Sequence, residues 1–223
     1  MRSLFEQGVR VIFGMPGSHT VALYDAIARH GGVRTALIRN EQAGALAADG
    51  LARVTGKPAV ICTTAGPGAT NALTGIAEAW ADSVPLLLLS GQVNHDRLHE
   101  ECGNYHELDL EAVFRPCTHF AATVMNHRSI PALVARAFQA MTFGRPRPAA
   151  LMLPQDLMAS PVEAGLLTGQ VVLPPSSAVA AAAREAEAAA ELLARAERPI
   201  LLAGGGAVWA GAGGLVLEVA PRP

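Results

Sequence analysis

Cysteine is scarce in this chain: three in 223 residues, Cys62, Cys102 and Cys117, scattered and odd in number. That spacing excludes a disulfide framework and fits a reducing compartment. Aromatic residues make up 4% and charged residues 16%, with a formal net charge of −2. Nothing basic or patterned offers a surface to nucleic acid. No apolar run reaches the length of a membrane span. Met1-Arg2 leads into a short amphipathic segment, without the apolar centre of a signal peptide. These absences describe an ordinary globular, cytoplasmic protein. What is plentiful is small: 22 glycines and many alanines within a hydrophobic content of 51%, a composition for helices packed closely on a sheet.

Periodicity and turn residues predict alternating strands and helices. Residues 2–9 read as the last turns of a helix whose beginning is absent. Strands are expected over 9–13, 34–38, 59–63, 84–90 and 149–153, with an extended segment over 118–124. Helices are expected over 20–30, 41–54, 71–81, 108–114 and 130–143. The consecutive leucines at 86–89 suit a parallel strand covered on both faces. The alternation predicts an α/β fold, a doubly wound parallel sheet with helices on both faces. Residues 92–106 are polar, lack periodicity and read as a loop near a ligand.

The chain is organised around residues 39–71. Glu41 follows a strand and enters a helix of Ala and Gly, the place where open α/β sheets bind ligands. Gly66-Pro67-Gly68 opens the next helix, where glycines let a backbone approach a planar ligand and free amides are available. As a dinucleotide fingerprint the turn is poor, because the third glycine is missing. Around these lie FGMPG at 13–17, RNEQAG at 39–44, AADGLAR at 47–53, GPGATN at 66–71, ADSVPLLLLSGQ at 81–92 and RPRPAALMLPQD at 145–156. In this order the six stretches resemble the pyrimidine-binding domain of thiamine diphosphate enzymes of the acetolactate synthase group.

The resemblance implies a fold, a cofactor and roles. Residues 1–160 would form the pyrimidine-binding domain, 161–177 a linker, and 178–223 the start of a second α/β domain. That second piece would carry a helix over 178–197, a strand over 199–203 and a turn at 204–206, and its last residues depart from the helix expected there. Thiamine diphosphate would be bound through its pyrimidine half by Pro16, Gly17, Glu41, Thr64, Gly66, Pro67, Gly68 and Asn71. Glu41 would be catalytic, a carboxyl that activates the aminopyrimidine by exchanging a proton with it. Read without the resemblance, Glu41 is a helix N-terminal glutamate favoured by the dipole.

The resemblance also implies that the residue after Pro16-Gly17 faces the reacting centre. Here it is Ser18 followed by His19, where acetolactate synthases usually carry a further glycine and benzoylformate decarboxylase-like enzymes a serine. His19 either steers a substrate carboxylate or caps the helix starting near residue 20. His106 is a candidate substrate-side proton donor, or a plain loop histidine. Gln92 is expected at the site entrance. His95, His99 and Cys102 have metal-like spacing but no second ligand cluster, so no metal site is assigned to this chain.

The implied activity is decarboxylation of a 2-oxo acid such as pyruvate, with transfer of the product carbanion equivalent to a second carbonyl. Mg²⁺ would be held by a C-terminal domain not represented here, and FAD is open. The implied assembly is a homodimer or homotetramer, and the isolated chain is expected to be inactive. Ser18-His19 keeps a decarboxylase or lyase on the same scaffold as a rival reading. A non-catalytic or split-subunit domain that pairs with another chain is a second.

Overall fold

A computed structural model describes residues 1–100, 103–162 and 181–220. The chain divides into two units, Met1–Leu173 and Pro174–Pro223, and the boundary falls outside the described residues. In the first unit six strands form one sheet: β1 Val11–Gly14, β2 Arg34–Leu37, β3 Ala59–Thr63, β4 Leu86–Gln92, β5 Phe120–Thr123 and β6 Ala149–Pro154. Their order is β2-β1-β3-β4-β6-β5, with every neighbouring pair parallel. The helices are α1 Arg2–Glu6, α2 Val21–His30, α3 Glu41–Thr55, α4 Pro67–Asp82, α5 Leu110–Phe114, α6 Ile130–Thr142 and α7 Gln155–Ala159.

The leucine run shows why the sheet is buried on both sides. Leu86 and Leu88 of β4, with Ala59 and Ile61 of β3 and Ala150 and Met152 of β6, pack against residues of α3, α4 and α5. Leu87 and Leu89, with Val60, Cys62, Ala149 and Leu151, pack against residues of α1, α2 and α6. Successive side chains alternate across a strand, so a continuous apolar run feeds two cores at once. The chain leaves β1 for β2 on one side and returns to β3 on the other. The crevice beyond the carboxyl ends of β1 and β3 is therefore the topological switch point of the sheet.

The helices that border this crevice are set by small residues. Asn40 caps α3, its Oδ1 accepting from the Ala43 amide at 3.0 Å, and Gly56 ends the helix in the left-handed conformation. Gly75 of α4 lies so close to α3 that a Cβ there would stand 2.5 Å from the Cβ of Ala45. Arg53 of α3 pairs with Asp49 at 2.6 Å and with Asp82 of α4 at 2.8 Å, joining the far ends of the two helices.

Several expectations are revised. Helix α7 was not expected, because a five-residue helix is too short to show a period. The expected linker at 161–177 lies, from residue 163 on, outside the described residues, as do residues 178–180 of the expected helix. In the second unit, α8 spans Ala183–Arg195, α9 Gly205–Trp209 and α10 Gly213–Val219. The strand expected at 199–203 does not form: the described residues of this unit contain no second strand to complete its ladder, and lone strand backbone has no partner for its amides. The glycine run at 204–206 begins a helix where a turn was expected, and the closing residues remain helical to 219. No helix among the described residues is long and apolar enough to cross a membrane.

Two substitutions separate packing from propensity. Ala gains about 1 kcal/mol over Gly inside a helix, and Gly50 of α3 has open space around it. Gly50→Ala should therefore raise the urea midpoint. Gly75→Ala carries the same gain but forces α3 and α4 apart, an overpacking cost of about 1–3 kcal/mol, so its midpoint should not rise and is expected to fall.

Candidate active site

The residues singled out from the sequence gather at the carboxyl ends of β1 to β4. Glu41 is the first residue of α3, buried at 9% exposure. Its Oε2 accepts from Asn71 Nδ2 at 3.1 Å, which fixes the plane of the carboxyl. Its Oε1 faces Gly68, where an added Cβ would lie 3.4 Å away. Thr64 stands between two of the glycines: a Cβ at Gly17 would come within 2.5 Å of the Thr64 Cβ, and one at Gly68 within 2.6 Å of its Cγ2. Pro16 and Pro67 are exposed at the ends of the two turns. Pro67 occupies the first turn of α4, where its missing N–H costs nothing.

Gly66 adopts φ +53°, and a Cβ there would meet the His106 carbonyl oxygen at 2.6 Å. The loop after β4 thus rests its backbone directly on the start of α4. His106 itself has φ +64°, a left-handed conformation that costs a non-glycine residue roughly 1–2 kcal/mol and needs a surrounding that holds it. Among the described residues its buried Nδ1 has no hydrogen-bond partner. Tyr105 stacks on it with centroids 3.8 Å apart, and the His19 ring lies 5.7 Å from His106 and 5.9 Å from Tyr105.

His19 is buried, with Nδ1 at 3.0 Å from Ser18 Oγ and 3.4 Å from Thr64 Oγ1. It does not cap α2; the N-cap is Thr20, whose hydroxyl closes the turn back onto Gly17. Burial pushes the His19 pKa below its ordinary value, the nearby His106 ring adds to this, and a backbone hydrogen bond at Tyr105 opposes it. Gln92 is 2% exposed. Its Nε2 donates to the Leu108 carbonyl at 3.0 Å and its Oε1 accepts from the Val93 amide at 2.9 Å. A cavity of about 370 Å³ lies beside it under the loop, bordered by Asn104, Glu107, Leu108 and Thr123 among others.

His95 pairs with Asp156, whose Oδ1 accepts the His95 amide at 2.9 Å while Oδ2 meets the ring Nδ1. Burial raises the Asp156 pKa, but hydrogen bonds from the His95 ring and amide and from Leu157 outweigh it and hold the carboxyl below its ordinary value. Asp96 lies close enough to join them as a third ligating group, yet both Asp156 oxygens are already engaged. His99 is exposed, and Cys102 lies outside the described residues. Tyr105 and Asp156 carried no signal of their own in the sequence; the loop's polarity and the Gln155-Asp156 pair after a strand were the only hints.

The geometry gathers a buried carboxyl and two imidazoles at the carboxyl ends of the strands, around glycines that let Thr64 and the loop after β4 pack at contact distance. The carboxyl and imidazoles can each hold or pass a proton. Four matches to known proteins bear on it. The family model described as thiamine pyrophosphate enzyme, N-terminal TPP binding domain, matches residues 1–113. A probable 2-ketoarginine decarboxylase of Pseudomonas aeruginosa is 43% identical over 213 residues, covering 95% of this chain and 37% of that protein. The acetolactate synthase isozyme 3 large subunit of Escherichia coli is 37% identical over 213 residues, again 95% and 37%. A probable acetolactate synthase large subunit of Methanocaldococcus jannaschii is 37% identical over 223 residues, 99% and 37%. The chain therefore spans a little over a third of the length of these relatives.

The depressed His19 pKa sets a pH dependence. The unfolded chain takes up a proton near pH 6.5, while folded His19 does so only at lower pH. Its contribution to stability is complete above that value and is lost as pH falls toward the folded pKa. Thermal unfolding followed between pH 7.5 and 5 should show the midpoint falling with acidity, and His19→Gln should flatten that slope.

Proposed function

The chain belongs to the thiamine pyrophosphate enzyme family through its N-terminal TPP-binding domain, and from that premise we propose that the crevice holds the pyrimidine half of thiamine diphosphate. The observation that carries this is the Glu41 carboxyl, buried, oriented by Asn71 and facing Gly68 across a gap kept open by the lack of a side chain. The group fits the residues present: backbone at Gly66 and Gly68 and the Thr64 side chain offer flat, close walls, and Glu41 offers a proton-exchanging oxygen at the edge. Thiamine diphosphate supplies a thiazolium carbon able to carry the electron pair released from a 2-oxo acid. Glu41 would hold and exchange the proton with the pyrimidine edge through Oε1, while Oε2 stays tied to Asn71. Pro16, Gly17 and Pro67 shape the turns that close over the ring.

On this reading His19 and His106 stand on the substrate side with Ser18. His106 would deliver or take a proton, and its buried, unpartnered Nδ1 supports a contact completed only when a ligand arrives. The reaction proposed is decarboxylation of a 2-oxo acid, pyruvate or a longer analogue, followed by carboligation or proton capture. The names of the relatives support both endings. A decarboxylase reading is favoured specifically by Ser18-His19, which departs from the acetolactate synthase pattern. We also propose that Mg²⁺ and the diphosphate are held outside this chain, in a homodimer or larger assembly where a partner completes the site. FAD would likewise bind elsewhere.

In a full-length enzyme carrying this chain, Glu41→Gln should lower kcat on the order of 10²–10⁴-fold with a small change in KM. A variant at full rate would reject the assignment. Assaying pyruvate beside a guanidino 2-oxo acid, with and without an acceptor carbonyl, separates the carboligase from the decarboxylase ending.

A further inference from the structure

We infer that Gln92 is a positioning residue: its amide sets where the Tyr105–His106 ring pair stands over the Gly66 turn, rather than contacting a substrate. Gln92 is the last residue of β4, paired in register with Pro154 of β6, so its backbone is fixed by the sheet. From that rigid point its side chain reaches across the mouth of the loop. Nε2 grips the carbonyl of Leu108 and Oε1 takes the amide of Val93. The first residue of the loop and one sixteen positions on from Gln92 are thereby tied to a single side chain. At 2% exposure, Gln92 presents little surface to a small molecule, and both ends of its amide are already engaged within the protein.

What the tie controls lies two residues before Leu108. His106 is left-handed and its carbonyl oxygen presses on Gly66. A left-handed non-glycine residue persists where its neighbours over-determine it. Upstream the constraint comes from Asn104, whose carbonyl accepts the Glu107 amide at 2.9 Å and whose own amide and side chain donate to Glu107 Oε2. Downstream it comes from Gln92. Released from that side, the 104–108 turn can relax, and the ring pair loses its place against His19. The consequence for catalysis rests on reading the crevice as the thiamine site; the ring geometry does not.

The test is made on the 223-residue chain with ¹³C-labelled histidine and no cofactor. In the wild type, ring protons of His19 and His106 should show a nuclear Overhauser contact, and the Asn104 and Glu107 amides should exchange slowly. In Gln92→Met that contact should vanish and those amides should exchange at least tenfold faster. Thr118→Val removes another buried side-chain bond to a carbonyl, that of Thr118 Oγ1 to Phe114 at 2.8 Å, and should leave the ring contact intact. If Gln92→Met does not fold, Gln92→Glu, which keeps the acceptor for Val93 and loses the donor to Leu108, is read the same way. A folded Gln92 variant that retains the ring contact overturns the inference, as does its equal loss in Thr118→Val. Failure of the wild-type enzyme to use thiamine diphosphate would sink the functional reading and leave this result standing.

Discussion

The structure of the crevice depends on one steric constraint, the missing side chains at Gly17, Gly66 and Gly68. Each is a point where a Cβ would land within about 2.6 Å of Thr64 or of the His106 backbone, nearer than real Cβ atoms come. These contacts bring three separate chain segments, the turn after β1, the start of α4 and the loop after β4, to van der Waals distance around one threonine. An alanine at any of the three would push the walls apart or fill the space Glu41 faces. The carboxyl and the rings can act on one small object because the backbones carrying them are so close.

That closeness also decides the electrostatics. Two imidazoles stand 5.7 Å apart in a partly dry wall, so charging both is unfavourable, and burial adds a further penalty at His19. Burial and the neighbouring ring thereby bias His19 toward its neutral, hydrogen-bonding form. His95, by contrast, pairs with a carboxylate and fastens the loop to α7 through Asp156.

What was legible in the sequence follows the range of the interaction responsible. Strand β3 is found at 59–63 as read, and the leucines of β4 do feed two cores, because those patterns are local and repeat. Glu41, Asn71 and Gly68, singled out as motif residues, stand together at the start of α3 and α4. The short α7 was hidden because it has too few residues for a period. The strand expected at 199–203 failed because strand propensity is realised only against a neighbouring strand. Tyr105 stacking, the left-handed His106 and the inward turn of Gln92 were equally invisible, since each is imposed by a contact with residues far along the chain: Gly66 for His106, Leu108 for Gln92, His19 for Tyr105.

The Ser18-His19 pair shows how one local departure reorganises a site built on otherwise common parts. A glycine at position 18 would offer neither the hydroxyl 3.0 Å from His19 Nδ1 nor any restraint on the turn. With serine there, and Thr64 Oγ1 at 3.4 Å on the other side, the imidazole is held by two hydroxyls and stacked toward Tyr105 and His106. Under the proposed function, this polar, proton-carrying surface would narrow the space beside the crevice and favour proton capture over admission of a second carbonyl. The ending of the reaction would then rest on the same crowding that defines the crevice.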